Sequence, residues 1–264
     1  QSKKLLISKL INAGIQNIEA TSFVSKKLVP QMSDSKDIII YCNNLEHKFP
    51  DVTFSALTPN MLGYSKACKY GVTNIAIFTA ASETFCKKNI GCSIEDSLER
   101  YREICLKAKS DIVKRTIRGY VSCIAGCPYE GDIDVERVVE ISRSLIDMGC
   151  DEVSLGDTIG VGTPKQISTI LDGVLEYIPS DQIAVHFHDT YGNALDNIEV
   201  ALKKDIMTID SSVGGLGGCP FAKGAPGNVA TEDVVKLLYS KGYNTGIDWE
   251  KLMEASQYAK SLLN

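Results

Sequence analysis

Two of the chain's three histidines stand two residues apart, in Val185-His186-Phe187-His188-Asp189. If this segment is a strand, alternation puts His186 and His188 on one face and Val185 and Phe187 on the other. Two imidazoles side by side can hold one divalent ion. Farther along, the stretch from Ser212 to Asn228 is too rich in glycine to be a packing element. Such backbone can approach a ligand closely or hinge as a lid. It lacks the Gly-Lys-Ser/Thr ending of a P-loop and contains no G-x-G-x-x-G. Cys219 sits in its middle, where a thiol could serve as nucleophile, acid or third metal ligand. Asn228 offers a neutral oxygen that a hard cation accepts. Two carboxylates complete the set: Glu19 in Ile18-Glu19-Ala20-Thr21-Ser22 and Asp157 in Ser154-Leu155-Gly156-Asp157-Thr158. Together with the histidines they form a metal-plus-acid/base constellation. Asp157 has a plainer reading as a helix cap. Cys123 and Cys127 lack two further ligands at zinc-type spacing and read as buried or loop-lining thiols. The Lys87–Lys88 pair reads as solvated surface.

These residues need a frame. Apolar, β-branched runs predict seven strands, at 15–22, 52–58, 74–80, 116–124, 152–158, 183–189 and 206–212. Helical stretches such as 93–110, 135–148 and 164–178 separate them. A motif recurs at the junctions: a helix ends near a glycine and an apolar strand follows. It occurs at Gly14, Gly71 and Gly149, with a glycine-free variant at Lys204-Asp205. Strand–helix alternation at this spacing predicts an α/β fold. Seven strands, opened by a helix, predict a (β/α)8 TIM barrel whose first strand is missing from this chain. No linker divides residues 1–264, so one barrel domain is expected throughout. In such a barrel, groups at the C-terminal strand ends face the mouth.

Composition narrows the classes. The chain has 264 residues, with 28 Lys+Arg against 33 Asp+Glu, for a net charge of −5. That balance opposes nucleic-acid binding as the main activity, since phosphate neutralisation needs clustered positive charge. No apolar run is long enough to span a bilayer, so no membrane partner is expected. Nine cysteines, an odd number without a C-x-x-C pair, suit a reducing compartment. The chain opens on Gln1 in a helical pattern, and an upstream segment is therefore expected.

The motifs resemble those of the 3-hydroxy-3-methylglutaryl-CoA lyase family, within the metal-dependent barrel lyases and Claisen-type synthases. The segments that carry the resemblance are Ile18–Ser25 with Val29–Met32, Lys87–Ile90 with Cys92–Glu95, Arg118–Cys123 with Gly126–Gly131, Ser154–Gly160, His186–Gly192 and the loop Gly214–Gly224. The resemblance implies His186, His188 and Asn228 as ligands of Mg²⁺ or Mn²⁺, Cys219 as catalytic cysteine, and Glu19 and Asp157 as site carboxylates, with His186 or Asp157 as the base. It implies a further Asp ligand in an Arg-Asp pair on the first strand. The implied reaction cleaves an acyl-CoA thioester, 3-hydroxy-3-methylglutaryl-CoA, to acetyl-CoA and acetoacetate. The expected assembly is a homodimer or larger homo-oligomer, in bacterial cytoplasm or mitochondrial matrix. A condensing synthase, a 4-hydroxy-2-oxo acid aldolase and an inactive fragment are the alternatives.

Overall fold

A computed structural model of the chain describes residues 1–217 and 227–262. Nine strands alternate with ten helices among these residues. The first half runs α1 (Ser2–Asn12), β1 (Asn17–Ser22), α2 (Ser35–Glu46), β2 (Thr53–Leu57), α3 (Met61–Lys69), β3 (Asn74–Ala80), α4 (Glu83–Ile90), α5 (Ile94–Ser110) and β4 (Thr116–Ser122). A two-stranded ribbon follows, β5 (Gly126–Cys127) with β6 (Gly131–Asp132). The remainder is α6 (Val135–Met148), β7 (Glu152–Asp157), α7 (Pro164–Leu175), β8 (Ile183–Phe187), α8 (Ala194–Leu202), β9 (Thr208–Asp210), α9 (Thr231–Ser240) and α10 (Trp249–Ser261).

Seven strands form one parallel sheet in the order β1-β2-β3-β4-β7-β8-β9. The sheet is curled: Tyr120 of the central strand β4 reaches Glu19 on edge strand β1, and Arg118 of β4 reaches Asp210 on the other edge, β9. This is the parallel sheet of a TIM-barrel-type fold, as the strand count predicts. The outer face of the sheet is apolar. Ile75, Ile77, Ile117, Val121, Val153, Leu155, Val185 and Phe187 are buried in one continuous core with helix residues such as Tyr101, Ile104, Leu145 and Ile167. Pleating sends the alternate residues into the lumen, where polar side chains gather.

Local sequence explains where the helices start and stop. In α6, Asp134 accepts from the Glu136 amide at the N-terminus, and Val138, Ile141, Leu145 and Met148 recur at helical spacing on the buried face. α5 opens with a reciprocal capping box between Ser93 and Asp96. The repeated stop is one motif. After α1, α3 and α6, Gly14, Gly71 and Gly149 take φ of +94, +82 and +113°. In each case the next amide, of Ile15, Val72 or Cys150, bonds back to the carbonyl of Leu10, Ala67 or Leu145. That is the six-to-one closure of a Schellman turn. The glycine-free variant folds the same way: Asp205 has φ +59° and the Ile206 amide bonds to Ala201.

Several strands end sooner than their apolar runs. The run at 116–124 stops at Ser122 because Cys123 turns to φ +61°. The run at 206–212 pairs only over Thr208–Asp210 before the chain enters a 3₁₀ turn at Val213–Gly215. The run at 183–189 stops at Phe187, so His188 lies just past the strand. The ribbon of β5 and β6 has no counterpart in the predicted elements. Among the described residues, no helix is long and apolar enough to cross a membrane, and eight cysteines are free thiols.

The helix stops give a paired stability test. Gly149→Ala forces an L side chain into the left-handed region and should cost about 1–2 kcal/mol. Asp205→Gly should gain about 0.5 kcal/mol, the strain released less the added chain entropy of glycine. Urea unfolding midpoints of the two variants should therefore move in opposite directions.

Candidate active site

The lumen floor is a linked set of ion pairs and hydrogen bonds between polar and charged groups from five strands. Arg118 on β4 pairs through Nε with Glu152 of β7 at 2.6 Å and through Nη1 with Asp210 of β9 at 2.8 Å. The same Nη1 donates to the Tyr120 hydroxyl at 3.3 Å, and that hydroxyl donates to Glu19 Oε2 at 2.9 Å. Asp210 also accepts from Ser154 Oγ at 2.8 Å, and its Oδ2 lies 3.4 Å from His186 Nδ1. The register explains the set. Arg118 pairs with Glu152, Tyr120 with Ser154, and His186 with Asp210, so these side chains project from one face at neighbouring heights.

Electrostatics differ sharply within this chain of groups. Burial pushes the Asp210 carboxyl up, but the bond to His186 and the Arg118 charge outweigh it and hold the group below its ordinary value. Crowding by protein pushes Glu19 up, and the Tyr120 hydrogen bond opposes this only in part. Burial, followed by the Glu19 charge, drives the Tyr120 phenol well above its ordinary range. Tyr120 is thereby held as the neutral phenol, with its hydroxyl donating to Glu19.

Above this floor stand the two imidazoles. The rings of His186 and His188 lie 5.7 Å apart, inclined at 39°, and Tyr120 meets His186 edge-on at 6.1 Å. Burial, then the neighbouring His186, pull His188 down to about 4. Its Nδ1 is buried without a hydrogen-bond partner among the described residues. Asn228 is brought to this point by the backbone after the glycine-rich loop. Asp189 N donates to Gly227 O at 2.7 Å and Val229 N to Phe187 O at 3.2 Å, so Asn228 forms an antiparallel bridge with His188. The Asn228 amide nitrogen donates to Leu216 O at 2.9 Å, which leaves the amide oxygen as the group able to meet a cation. A neutral imidazole with an orphaned nitrogen, a second imidazole and an amide oxygen fit a divalent ion. No group of three His, Cys, Asp or Glu side chains forms a metal cluster among the described residues.

The site residues expected from sequence thus fall into three groups. His186, His188, Asn228 and Glu19 converge on the lumen and its mouth. Asp157 does not face that space. It shares the outer face of β7 with Val153 and Leu155, and its two carboxylate oxygens accept from the amides of Val161 at 3.3 Å and Gly162 at 2.8 Å. It is fully buried, and in this position its carboxylate holds the backbone of the rim. That rim presses on the site, because Gly160 lies against the His188 carbonyl. Cys219 lies outside the described residues. Cys123 and Cys127 are buried thiols, as expected. Lys87 pairs with Glu83 on the surface, while Lys88 sits over the Tyr129 ring. Arg118, Tyr120, Ser154 and Asp210 were not singled out from the sequence. The signal was there in Thr116-Ile117-Arg118-Gly119-Tyr120-Val121-Ser122, where every second residue is polar.

The described start of the glycine-rich loop is anchored by Glu232, which accepts from Gly214 N at 3.0 Å, Ser256 Oγ at 2.5 Å and Lys260 Nζ at 3.2 Å. Burial raises this carboxyl, but the Ser256 and Gly214 bonds prevail and its pKa is lowered. Its stabilisation is therefore present above the unfolded glutamate value of about 4.3 and is lost as pH falls through the lower folded value. Glu232→Gln should cost about 1–2 kcal/mol at neutral pH. In melts run down the pH scale, the gap to the parent should close below about pH 4.

Comparisons with known proteins accord with this geometry. The HMGL-like family model matches residues 1–259. The mouse protein 3-hydroxy-3-methylglutaryl-CoA lyase, cytoplasmic, is 49% identical over 259 residues, covering 98% of this chain and 74% of the relative. The chicken hydroxymethylglutaryl-CoA lyase, mitochondrial, is also 49% identical, covering 98% and 85%. Among solved structures, the HMG-CoA lyase of Brucella melitensis superposes with a TM-score of 0.93 at 45% identity, covering 99% of this chain and 90% of that one. An HMG-CoA lyase of Acinetobacter baumannii, solved in complex with coenzyme A and 3-methylmalate, gives 0.89 at 32% identity, covering 99% and 83%. With nearly its whole length matched by one family and its polar strand ends turned into one lumen, this chain belongs to the HMGL-like family.

Proposed function

We propose that this chain is a carbon–carbon lyase that cleaves 3-hydroxy-3-methylglutaryl-CoA to acetyl-CoA and acetoacetate. The observation that carries this reading is the placing of His186, His188 and Asn228 together at the mouth of a barrel from a family whose relatives bear that lyase name. His186, His188 and Asn228 would hold the ion, Mg²⁺ or Mn²⁺, and the fit rests on the His188 nitrogen, which has no partner among the described residues, and on the Asn228 amide, whose nitrogen is turned to Leu216 O. A bound divalent ion would supply positive charge that orients the substrate hydroxyl and lowers its pKa.

The bond changes then assign work to the side chains. The tertiary hydroxyl loses its proton, its C–O becomes a ketone, and the neighbouring C–C bond breaks. The electron pair moves onto the thioester fragment as an enolate. The candidates to take the hydroxyl proton are Asp157 and His186, the latter through Nε2 where that nitrogen does not hold the ion, since a ring with Nδ1 protonated has one lone pair. Asp157 is the weaker candidate, since both its oxygens are engaged by rim amides. Cys219, on the glycine-rich loop, is assigned to return a proton to the enolate carbon and to help exclude water. Glu19 and Tyr120 border the lumen beneath and would order the polar end of the substrate. The reading also carries a reducing compartment, bacterial cytoplasm or mitochondrial matrix, where free thiols persist.

The test is acetoacetate formation from 3-hydroxy-3-methylglutaryl-CoA by the full-length protein with Mg²⁺ or Mn²⁺. Cys219→Ala should lower kcat by about 10²–10⁴-fold, the range of one general acid, and His186→Ala should lower it at least as far. Undiminished turnover in Cys219→Ala would remove the cysteine from the chemistry. Thiol release that requires an added 2-oxo acid would instead mark a condensing synthase.

A further inference from the structure

We propose that Asp210 is a positioning residue for His186: its carboxylate, clamped by Arg118 and Ser154, holds the ring with Nδ1 protonated and leaves the Nε2 lone pair for the lumen. This rests on the reading of His186 as a site residue, and it applies whether Nε2 meets a divalent ion or a substrate proton.

The argument begins with what each atom can do. Asp210 Oδ2 lies 3.4 Å from His186 Nδ1. An ionised carboxylate only accepts, so the ring nitrogen that faces it must be the donor. The neighbours of Asp210 keep it ionised and fixed. Arg118 Nη1 forms an ion pair with Oδ1 at 2.8 Å, and Ser154 Oγ donates to Oδ2 at 2.8 Å. Arg118 cannot swing away, because its Nε is held by Glu152 at 2.6 Å. The clamp comes from strand pairing and owes nothing to side-chain chance: His186 and Asp210 are register partners in β8 and β9. The second imidazole has no such device. Among the described residues His188 Nδ1 is buried without a partner, so within them the two histidines are inequivalent and His186 is the one preset. In metal sites, a carboxylate behind a ligating imidazole is typically worth about 10–100-fold in affinity.

The test uses the full chain without metal, at about pH 8, where imidazole is neutral. Long-range ¹H–¹⁵N spectra, with the His186 signals assigned by comparison with His186→Gln, should show Nδ1 protonated and Nε2 bare. Asp210→Asn keeps the size. With its oxygen taken by Arg118 it turns an NH₂ toward the ring, so the tautomer should invert. Mn²⁺ affinity, read by electron paramagnetic resonance, should weaken about 10–100-fold. Ser154→Ala, which leaves the carboxylate in place, should keep the parent tautomer. A purely structural role for Asp210 would move melting temperatures without moving the tautomer. If Asp210→Asn fails to fold, the parent and Ser154→Ala spectra decide. A parent ring protonated on Nε2 overturns the proposal. So does an unchanged tautomer in Asp210→Asn with Mn²⁺ affinity within about twofold of the parent. Failure of the metal-site reading looks different: the parent does not bind Mn²⁺, or binds it equally well after His186→Ala, while the tautomer result still decides the role of Asp210.

Discussion

The guanidinium of Arg118 is the interaction on which the interior depends. One cation is shared by Glu152 and Asp210 and touches the Tyr120 hydroxyl, which in turn meets Glu19. Without it, three carboxylates would line a half-buried lumen with no opposing charge. Desolvation alone would then drive them toward protonation, and the lumen would lose its fixed pattern of donors and acceptors. A planar, always-charged fork suits this task better than an ammonium, because two carboxylates are engaged from two sides. The cost is that a buried ion pair adds little net stability compared with apolar packing. The barrel keeps it where geometry matters more than stability.

That division runs through the whole sheet. Each strand gives one face to the helices and one to the lumen, so stability and chemistry are assigned to alternate residues. On β4, Ile117 and Val121 pack outward while Arg118 and Tyr120 point inward. On β8, Val185 and Phe187 pack outward and His186 points inward. Asp157 shows the rule by its position. It falls on the outer parity, and its carboxylate is spent on loop amides instead of on lumen groups. At the end of β4 the strand stops with Cys123 in a left-handed conformation, a strained state for a residue with a side chain. Thr158 supports it by accepting the Cys123 amide at 2.8 Å. Local backbone cost is thus held at both ends of the strands, by Cys123 at the C-terminal rim and by Asp205 at a helix stop on the opposite side.

Much of this was legible in the sequence because its signals are local. Apolar runs gave the strands, and glycines with left-handed backbone marked the helix stops, even where Asp205 replaced one. The His186–His188 spacing placed both rings together although His188 lies past the strand, since extended backbone carries the alternation on. Asn228 could be put near them only by motif, as its place depends on a bridge to residues forty positions earlier, set by long-range pairing. The ion-pair network escaped for the same reason. Arg118, Glu152 and Asp210 lie on three strands, and no spacing rule connects them. Asp157 was legible only as a strand-end carboxylate, which serves catalysis and loop capping equally well; the count of residues from the inward-facing Ser154 puts it on the outer face of β7.

The helices that begin and finish the described chain lie against each other. Lys9 pairs with Glu254, and the Asp248 amide bonds to Ala13 O. Ala13, Leu252, Ala255 and Ala259 share one small apolar cluster. During synthesis, α1 leaves the ribosome long before its partner exists. At about 5–20 residues per second, the interval is on the order of tens of seconds. For that period the apolar side of α1 that will meet α10 has no cover from its own chain, and the ring of helices stays open. The contact between these two helices therefore forms only after nearly all of the described chain has been made. A nascent chain held at this stage would offer a chaperone a hydrophobic handle that the finished protein no longer shows.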